Sequence, residues 1–258
     1  LTCIICAGKL SELMYHLDEL DIYRCSICGM VYSKVSTKQK VKYNQPYYHM
    51  TLGNHPKLQT FKAVLKGFNP KSKILDIGSG TGEFVGLAKD LGFDIRGIEV
   101  AKYALEICHK SGLNVANTAL HKIKSKSYDI ITLWDVIEHL KRPNYVMKHI
   151  NRILKKGGLL VLRTPNQRSI FHKIAAIPYN LSDGKHRQAT QKIYHKDHLY
   201  YFSNTTLHWL LGIHGFRVVR VIGNDQTSVC DSLGITILRW IGKLLSLEHA
   251  MLVYAVKR

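Results

Sequence analysis

Residues 73–82 read Lys-Ile-Leu-Asp-Ile-Gly-Ser-Gly-Thr-Gly, and no other stretch of the 258-residue chain limits its fold as tightly. A short apolar run reaches Asp76, and Gly78, Gly80 and Gly82 follow at every second position. Glycine accepts positive φ and puts no side chain between the backbone and a ligand. A helix starting after the turn would offer unpaired N–H groups at its first residues. The dinucleotide fingerprint Gly-x-Gly-x-x-Gly would need a glycine at position 83, which is Glu83, so a pyrophosphate-binding turn is disfavoured. Two readings remain: a strand-to-helix turn built around a small cofactor, or a tight turn with no ligand.

The flanking sequence alternates strand and helix, the pattern of a mostly parallel sheet. An amphipathic helix is predicted over 56–67, with Leu58, Phe61, Val64 and Leu65 on one face. After the glycine turn come a helix (83–91), a strand (94–100) containing Glu99, a helix (102–112), a short strand (113–118) and a polar loop. Residues 128–135 read as a buried central strand, 144–158 as a helix ending in Gly-Gly, and 159–166 as a buried strand stopped by Pro165. A helix over 204–213 with Ser203 as N-cap, a strand over 217–223, an amphipathic helix over 233–247 and a strand over 251–257 complete the chain.

The glycine stretch and the order of elements behind it resemble the class I S-adenosylmethionine-dependent methyltransferases, over roughly residues 60–258. The resemblance implies an α/β fold: a Rossmann-like seven-stranded methyltransferase sheet, strand order 3-2-1-4-5-7-6 with the last-formed strand antiparallel, here carrying a small N-terminal zinc ribbon. It also implies roles. Asp76 orients the turn and the methionyl amino end of S-adenosylmethionine, and Gly78, Ser79, Gly80 and Gly82 give backbone access. Glu99, 23 positions after Asp76, takes the ribose hydroxyls and Val100 packs near the adenine. Thr118, Ala119 and Leu120 supply the adenine edge, where many relatives carry an Asp that this chain lacks. Trp134 and Asp135 face the methionine moiety.

At the N-terminus, Cys3-x-x-Cys6 and Cys25-x-x-Cys28 are separated by 18 residues, a four-cysteine zinc spacing. Four thiolates close a tetrahedral shell with no open position, so the metal would be structural. Gly8 and Gly29 stand just past the two knuckles, where the chain must turn tightly. About thirty residues bury too little apolar surface to fold alone, and a metal supplies what is missing. Two disulfides are the rival reading. The short loops, the isolated Cys108 and Cys230 and the lack of a secretion signal favour a reducing, cytoplasmic setting. The combination is similar to small-molecule methyltransferases that carry an N-terminal zinc ribbon. Three regions are expected: the ribbon (1–35), a connector with the helix (36–69) and the methyltransferase domain (70–258). Tyr43, Tyr47 and Tyr48 in the connector either close over a ligand or pack it down.

Lys and Arg number 37 against 18 Asp and Glu, a formal +19. Such a surplus attracts RNA or an anionic surface, or is a dispersed, solvated basic surface. No run of 18 apolar residues occurs, so no transmembrane segment is expected. Oligomeric state is not legible.

Asp135-x-x-Glu138-His139 follows the central strand, where α/β ligands bind. His139 is a candidate general base and Glu138 its companion, or both are structural. The arrangement resembles that of quinone-biosynthesis O-methyltransferases, where it has been linked to a divalent cation. Residues 167–202 read as a long, His-rich insertion over substrate, with His195 and His198 in reach of an anionic or hydroxylated molecule. The helix over 233–247 either touches a membrane surface or packs as core. The functional expectation is methyl transfer from S-adenosylmethionine to a small-molecule acceptor, on oxygen or carbon. An RNA methyltransferase and a non-catalytic cofactor-binding scaffold are the alternatives.

Overall fold

The computed structural model describes residues 2–35, 57–224 and 233–258. The connector tyrosines (Tyr43, Tyr47, Tyr48) and Cys230 lie outside the described residues.

Seven strands form the main sheet: β4 (Lys73–Ile77), β5 (Asp94–Ile98), β6 (Val115–Ala116), β7 (Tyr128–Trp134), β8 (Leu154–Pro165), β10 (Phe216–Asn224) and β11 (Ala250–Lys257). Their spatial order is β10-β11-β8-β7-β4-β5-β6. The order matches the sequence-based expectation, including its reversed strand: β11 runs antiparallel to both β8 and β10, and the other pairs are parallel. β4 and β7 are buried along almost their whole length, as expected of central strands covered on both faces.

One face carries α1 (Leu58–Lys66), α2 (Glu83–Asp90) and α3 (Lys102–Lys110). There Phe61, Val64 and Leu65 pack with Phe84, Val85, Ile74, Ile130 and Trp134. The opposite face carries α4 (Pro143–Ile153) and α7 (Asn204–Ile213), packed on Leu75, Ile131, Leu133 and Leu160. The α7 start is a capping box: Ser203 and Thr206 exchange hydrogen bonds between side chain and backbone.

Two expectations need correction. The helix expected to end at Gly158 stops at Ile153, because Leu154 is already extended and pairs with Tyr128. Gly157 and Gly158 form a bulge in β8: Gly157 sits at φ +72°, and a Cβ at Gly158 would lie 3.1 Å from the Asp129 carbonyl. The insertion is also not a loop. Ser169 caps α5 (Ile170–Leu181), and α6 (Gln188–Ile193) and β9 (Tyr200–Tyr201) follow.

β9 explains why that segment is ordered. It pairs with β3 (Val31–Val35) and completes a four-stranded antiparallel sheet, β1 (Ser11–His16), β2 (Leu20–Cys25), β3, β9. Tyr15, Leu20 and Ile22 from the N-terminal strands bury Tyr194 and Tyr201 from the insertion in a small second core. Across it the Tyr179 hydroxyl accepts a 2.8 Å hydrogen bond from the His16 N–H. The cysteine end of this sheet belongs to the main core: Cys3, Cys25 and Met30 pack with Leu207 and Phe202.

Candidate active site

The glycine turn hangs from the ends of three strands. Asp76 lies opposite Thr132 on β7, whose hydroxyl donates to Asp76 Oδ1 at 2.6 Å. The N–H groups of Gly78 and Ser79 both donate to the Ile98 carbonyl, at 2.8 and 3.0 Å. Gly78, Gly80 and Gly82 all have positive φ, at +74°, +56° and +89°. A Cβ would lie 2.5 Å from Val136 at Gly78 and 2.5 Å from Leu113 at Gly82. Glu99 clamps the turn from β5. Its Oε2 accepts from the Gly80 N–H at 2.8 Å, and its Oε1 from Val100 and Ala101. A carboxylate has about four acceptor positions, so one remains on Glu99. Val100 stands beyond it, 69% exposed, at the rim. Sequence reading missed Gly97. A Cβ there would lie 2.4 Å from Ser79 Oγ, so the glycine makes room for the turn's own side chain. A lone glycine inside a strand is the signal that marks such an approach.

Asp76 is buried at 1% exposure, and burial pushes its carboxyl up to about 7 against the hydrogen bonds from Thr132 and Ser79. Thr118, Ala119 and Leu120 follow β6. Thr118 Oγ1 accepts from Arg96 at 2.8 Å, Ala119 is exposed, and Leu120 packs inward against the α4 face of the core.

Trp134 and Asp135 point to different company. Trp134 packs edge-on to Phe61, ring centroids 4.7 Å apart, and its buried Nε1 has no hydrogen-bond partner. Asp135 turns at φ +55°, a left-handed conformation that Asp tolerates better than most side chains. Its carboxylate pairs with Arg163 from β8 and with Lys57 just before α1. Burial alone would raise the Asp135 carboxyl; the two cations outweigh it and hold it well below the usual carboxylate range. Arg163 is 4% exposed and also reaches Asn224 at 3.0 Å. Neither Lys57 nor Arg163 stood out in the sequence, because their partner is remote along the chain.

Past β7 a single helical turn, Ile137–His139, places Glu138 and His139 beside His198. One ligand atom of each lies within 4.8 Å of the others. His139 Nδ1 is 2.8 Å from the Asp197 carbonyl. A carbonyl only accepts, so Nδ1 carries the hydrogen and Nε2 keeps its lone pair. Burial lowers the His139 pKa, and burial with the neighbouring His139 holds His198 well below its ordinary value. Glu138 is 1% exposed. Oε2 accepts from Thr164 at 3.0 Å, and Oε1 is buried without a partner. Burial, then the nearby Asp135, pushes its carboxyl up to about 8.

The other cluster is Cys3, Cys6, Cys25 and Cys28, with Sγ atoms within 4.8 Å of one another. Cys3–Cys28 and Cys6–Cys25 are separated by 3.4 and 3.5 Å, longer than a disulfide and close to the edge of a thiolate tetrahedron. The knuckles repeat one hydrogen-bond pattern: Ala7 N–H to Cys3 O and Cys3 N–H to Gly8 O, then Gly29 N–H to Cys25 O and Cys25 N–H to Met30 O. Ala7 is therefore the counterpart of Gly29, at φ +56° and +73°. Gly8 serves another need, since a Cβ there would lie 2.7 Å from Ile27. Burial alone would raise the Cys25 thiol; the backbone N–H groups of Cys28 and Ile27 and the Cys6 thiol outweigh it and bring it to about 7.

Residues 53–221, well over half of the chain, match the family model described as "Methyltransferase domain". The chain belongs to the methyltransferase domain family. The chain is similar to a solved S-adenosylmethionine-dependent methyltransferase of Archaeoglobus fulgidus, at 19% identity and a TM-score of 0.57, covering 82% of this chain and 98% of that one. Its seven-stranded sheet has the fold of that solved structure. It is 30% identical over 113 residues to an uncharacterized protein of Methanocaldococcus jannaschii, covering 43% of this chain and 53% of the relative. It is also 30% identical over 120 residues to the ubiquinone biosynthesis O-methyltransferase of Bordetella avium, covering 42% and 50%. The chain spans about half the length of the curated relatives it matches. The residues present fit the methyl donor: a buried carboxyl at Asp76, an acceptor position left on Glu99 and an unpartnered indole donor at Trp134.

Proposed function

We propose that the protein transfers a methyl group from S-adenosylmethionine to a hydroxyl or carbon of a small-molecule acceptor. The observation that carries this reading is the glycine turn held by Asp76 and Glu99, with Val136, two residues before Glu138, lying against Gly78. The cradle of Asp76, Ser79 and Glu99 is assigned to the donor, and the Glu138–His139–His198 group past β7 to the acceptor.

Bound S-adenosylmethionine supplies an electrophilic sulfonium methyl. Asp76 attracts the amino end of the donor, Trp134 Nε1 donates to its carboxylate, and Glu99 takes a ribose hydroxyl. Thr118 and Val100 line the adenine side. His139 Nε2 takes the acceptor's proton as its oxygen attacks. Glu138, mostly protonated at neutral pH, holds the acceptor by donating through Oε1.

A second reading shares the same residues. The unpartnered Glu138 Oε1, His139 Nε2 and His198 form a donor set suited to a divalent cation, which would polarise the acceptor oxygen. The four cysteines are assigned to a structural zinc ion.

The test is a labelled-methyl transfer screen with hydroxylated aromatic acids, their reduced analogues and bulk tRNA, with and without a chelator. Label on a small hydroxylated acceptor supports the proposal. Label on tRNA alone, or donor binding without turnover on any class, overturns it. Loss of turnover in chelator with the ribbon still folded selects the cation reading.

A further inference from the structure

Two helices that the active site does not use expose apolar side chains in matching patterns. On α5, Ile174, Ile177 and Leu181 are exposed at 39%, 52% and 84%. On α8 (Leu233–Leu244), Ile237, Trp240 and Leu244 are exposed at 49%, 66% and 69%. Each triplet has the spacing i, i+3, i+7, which places its members on one side of its helix. The opposite sides are engaged: His172 and Ala175 of α5 and Gly242 of α8 are buried.

The helices are built against each other. A Cβ at Gly242 would lie 3.2 Å from Ile170 Cγ2, and the Ile170 N–H donates to the Leu247 carbonyl at 2.9 Å. Ile170 is on the same side of α5 as the exposed triplet, so that stripe runs out from beneath α8. Six large apolar side chains on one buttressed pair of helices exceed the scattered exposure of an ordinary surface.

The charge around them selects the occupant. Lys173 on α5, Lys243 on α8 and Lys185 on the turn after α5 are exposed, against Asp183. The whole chain carries +19. Aliphatic stripes with a tryptophan and a lysine rim are the composition of a helix face that lies in a lipid–water interface. Nucleic acid would use the lysines but gain nothing from Ile177, Leu181 or Leu244. No helix among the described residues is long and apolar enough to cross a membrane. We infer that α5 and α8 form a docking surface by which the protein rests on an anionic lipid bilayer without spanning it. The active-site residues take no part, so this surface stands or falls independently of the acceptor.

The test is co-sedimentation of the full chain with vesicles of phosphatidylglycerol and phosphatidylcholine in equal parts, against pure phosphatidylcholine. The expected result is pelleting with the anionic vesicles alone, weakened by added salt, with a blue shift of tryptophan emission. The pairs Ile177→Glu with Leu181→Glu, and Trp240→Glu with Leu244→Glu, are each expected to weaken binding about tenfold or more. Lys173→Gln with Lys243→Gln should weaken it less and flatten the salt dependence. S-adenosylmethionine affinity, unchanged in every variant, shows that each is folded. Failure to pellet with anionic vesicles overturns the inference, as does equal pelleting of the glutamate variants. A dimer in light scattering that these substitutions split, with no vesicle binding, also overturns it and makes the patch a subunit interface.

Discussion

Ser33, on the third strand of the cysteine sheet, donates its hydroxyl hydrogen to the carbonyl oxygen of His198 at 2.6 Å. The Ser33 N–H adds a bond to the Leu199 carbonyl at 3.0 Å, and the Leu199 N–H reaches the Glu138 carbonyl at 2.9 Å. A chain of hydrogen bonds thus runs from the N-terminal sheet through His198 and Leu199, just before β9, to the Glu138–His139–His198 cluster, in residues 165 apart along the chain.

The first prediction concerns this link. Ser33→Ala should lower kcat about fivefold, the loss of one hydrogen bond, with S-adenosylmethionine affinity unchanged. Ser33→Thr should restore most of the rate. A role confined to stability would lower the melting temperature in both variants and leave kcat per folded molecule intact, which steady-state kinetics beside calorimetry will separate.

Asp76 carries a trade-off between stability and binding. Its folded carboxyl titrates near 7, above the ordinary 3.8, so its contribution to stability is fully present below about pH 4 and is lost as pH rises through 7. Asp76→Asn should therefore melt higher than the parent at pH 8, by on the order of 1–2 kcal/mol, and show no gain at pH 4. The same change should weaken donor binding at least tenfold, read by calorimetry. In the parent, donor affinity should fall as pH drops below about 7, because the carboxyl becomes neutral.

Glu138 and His139 can be told apart by pH and by an isostere. His139→Ala should cut kcat by about 10²–10⁴, the usual scale for a general base, and leave donor affinity unchanged. Burial lowers the His139 pKa, so the acid limb of kcat should fall below 6.5. Glu138 titrates near 8 against an ordinary 4.5, so its stabilising effect is complete below about pH 4.5 and disappears through 8. Glu138→Gln copies the protonated form and should stabilise the protein above pH 8. Turnover near parent level at pH 7 supports the hydrogen-bonding role, and abolished turnover supports the divalent cation.

In the cysteine knuckles, Ala7→Gly should stabilise the protein by about 1 kcal/mol, since Ala7 holds a left-handed conformation that glycine adopts without penalty. Gly29→Ala should cost about as much. Cys25→Ser should abolish the zinc binding proposed for the four cysteines and, because Cys25 lies in the main core, lower the melting temperature of the whole protein. Metal analysis with thermal unfolding of each variant checks these outcomes.

The sequence by itself determined the main strands of the large sheet, because they are local apolar runs bounded by turn residues, and their order followed from the resemblance to class I S-adenosylmethionine-dependent methyltransferases. It also determined the glycine turn, where backbone conformation at Gly78, Gly80 and Gly82 is a property of the residues themselves. It placed Ser203 at the start of α7, since a cap is a contact between near neighbours. The tertiary structure decided everything that depends on distant partners. β9 joins the cysteine sheet through two residue pairs that no local pattern encodes. Glu138, His139 and His198 meet only because β9 holds the end of the insertion against the turn after β7. The environment of Asp135 was equally hidden: Lys57 and Arg163 reach it from either side in the chain, and only packing sets the burial that fixes its charge. Local chemistry is written along the chain, whereas burial and long-range pairing come into being only when separate segments share one core.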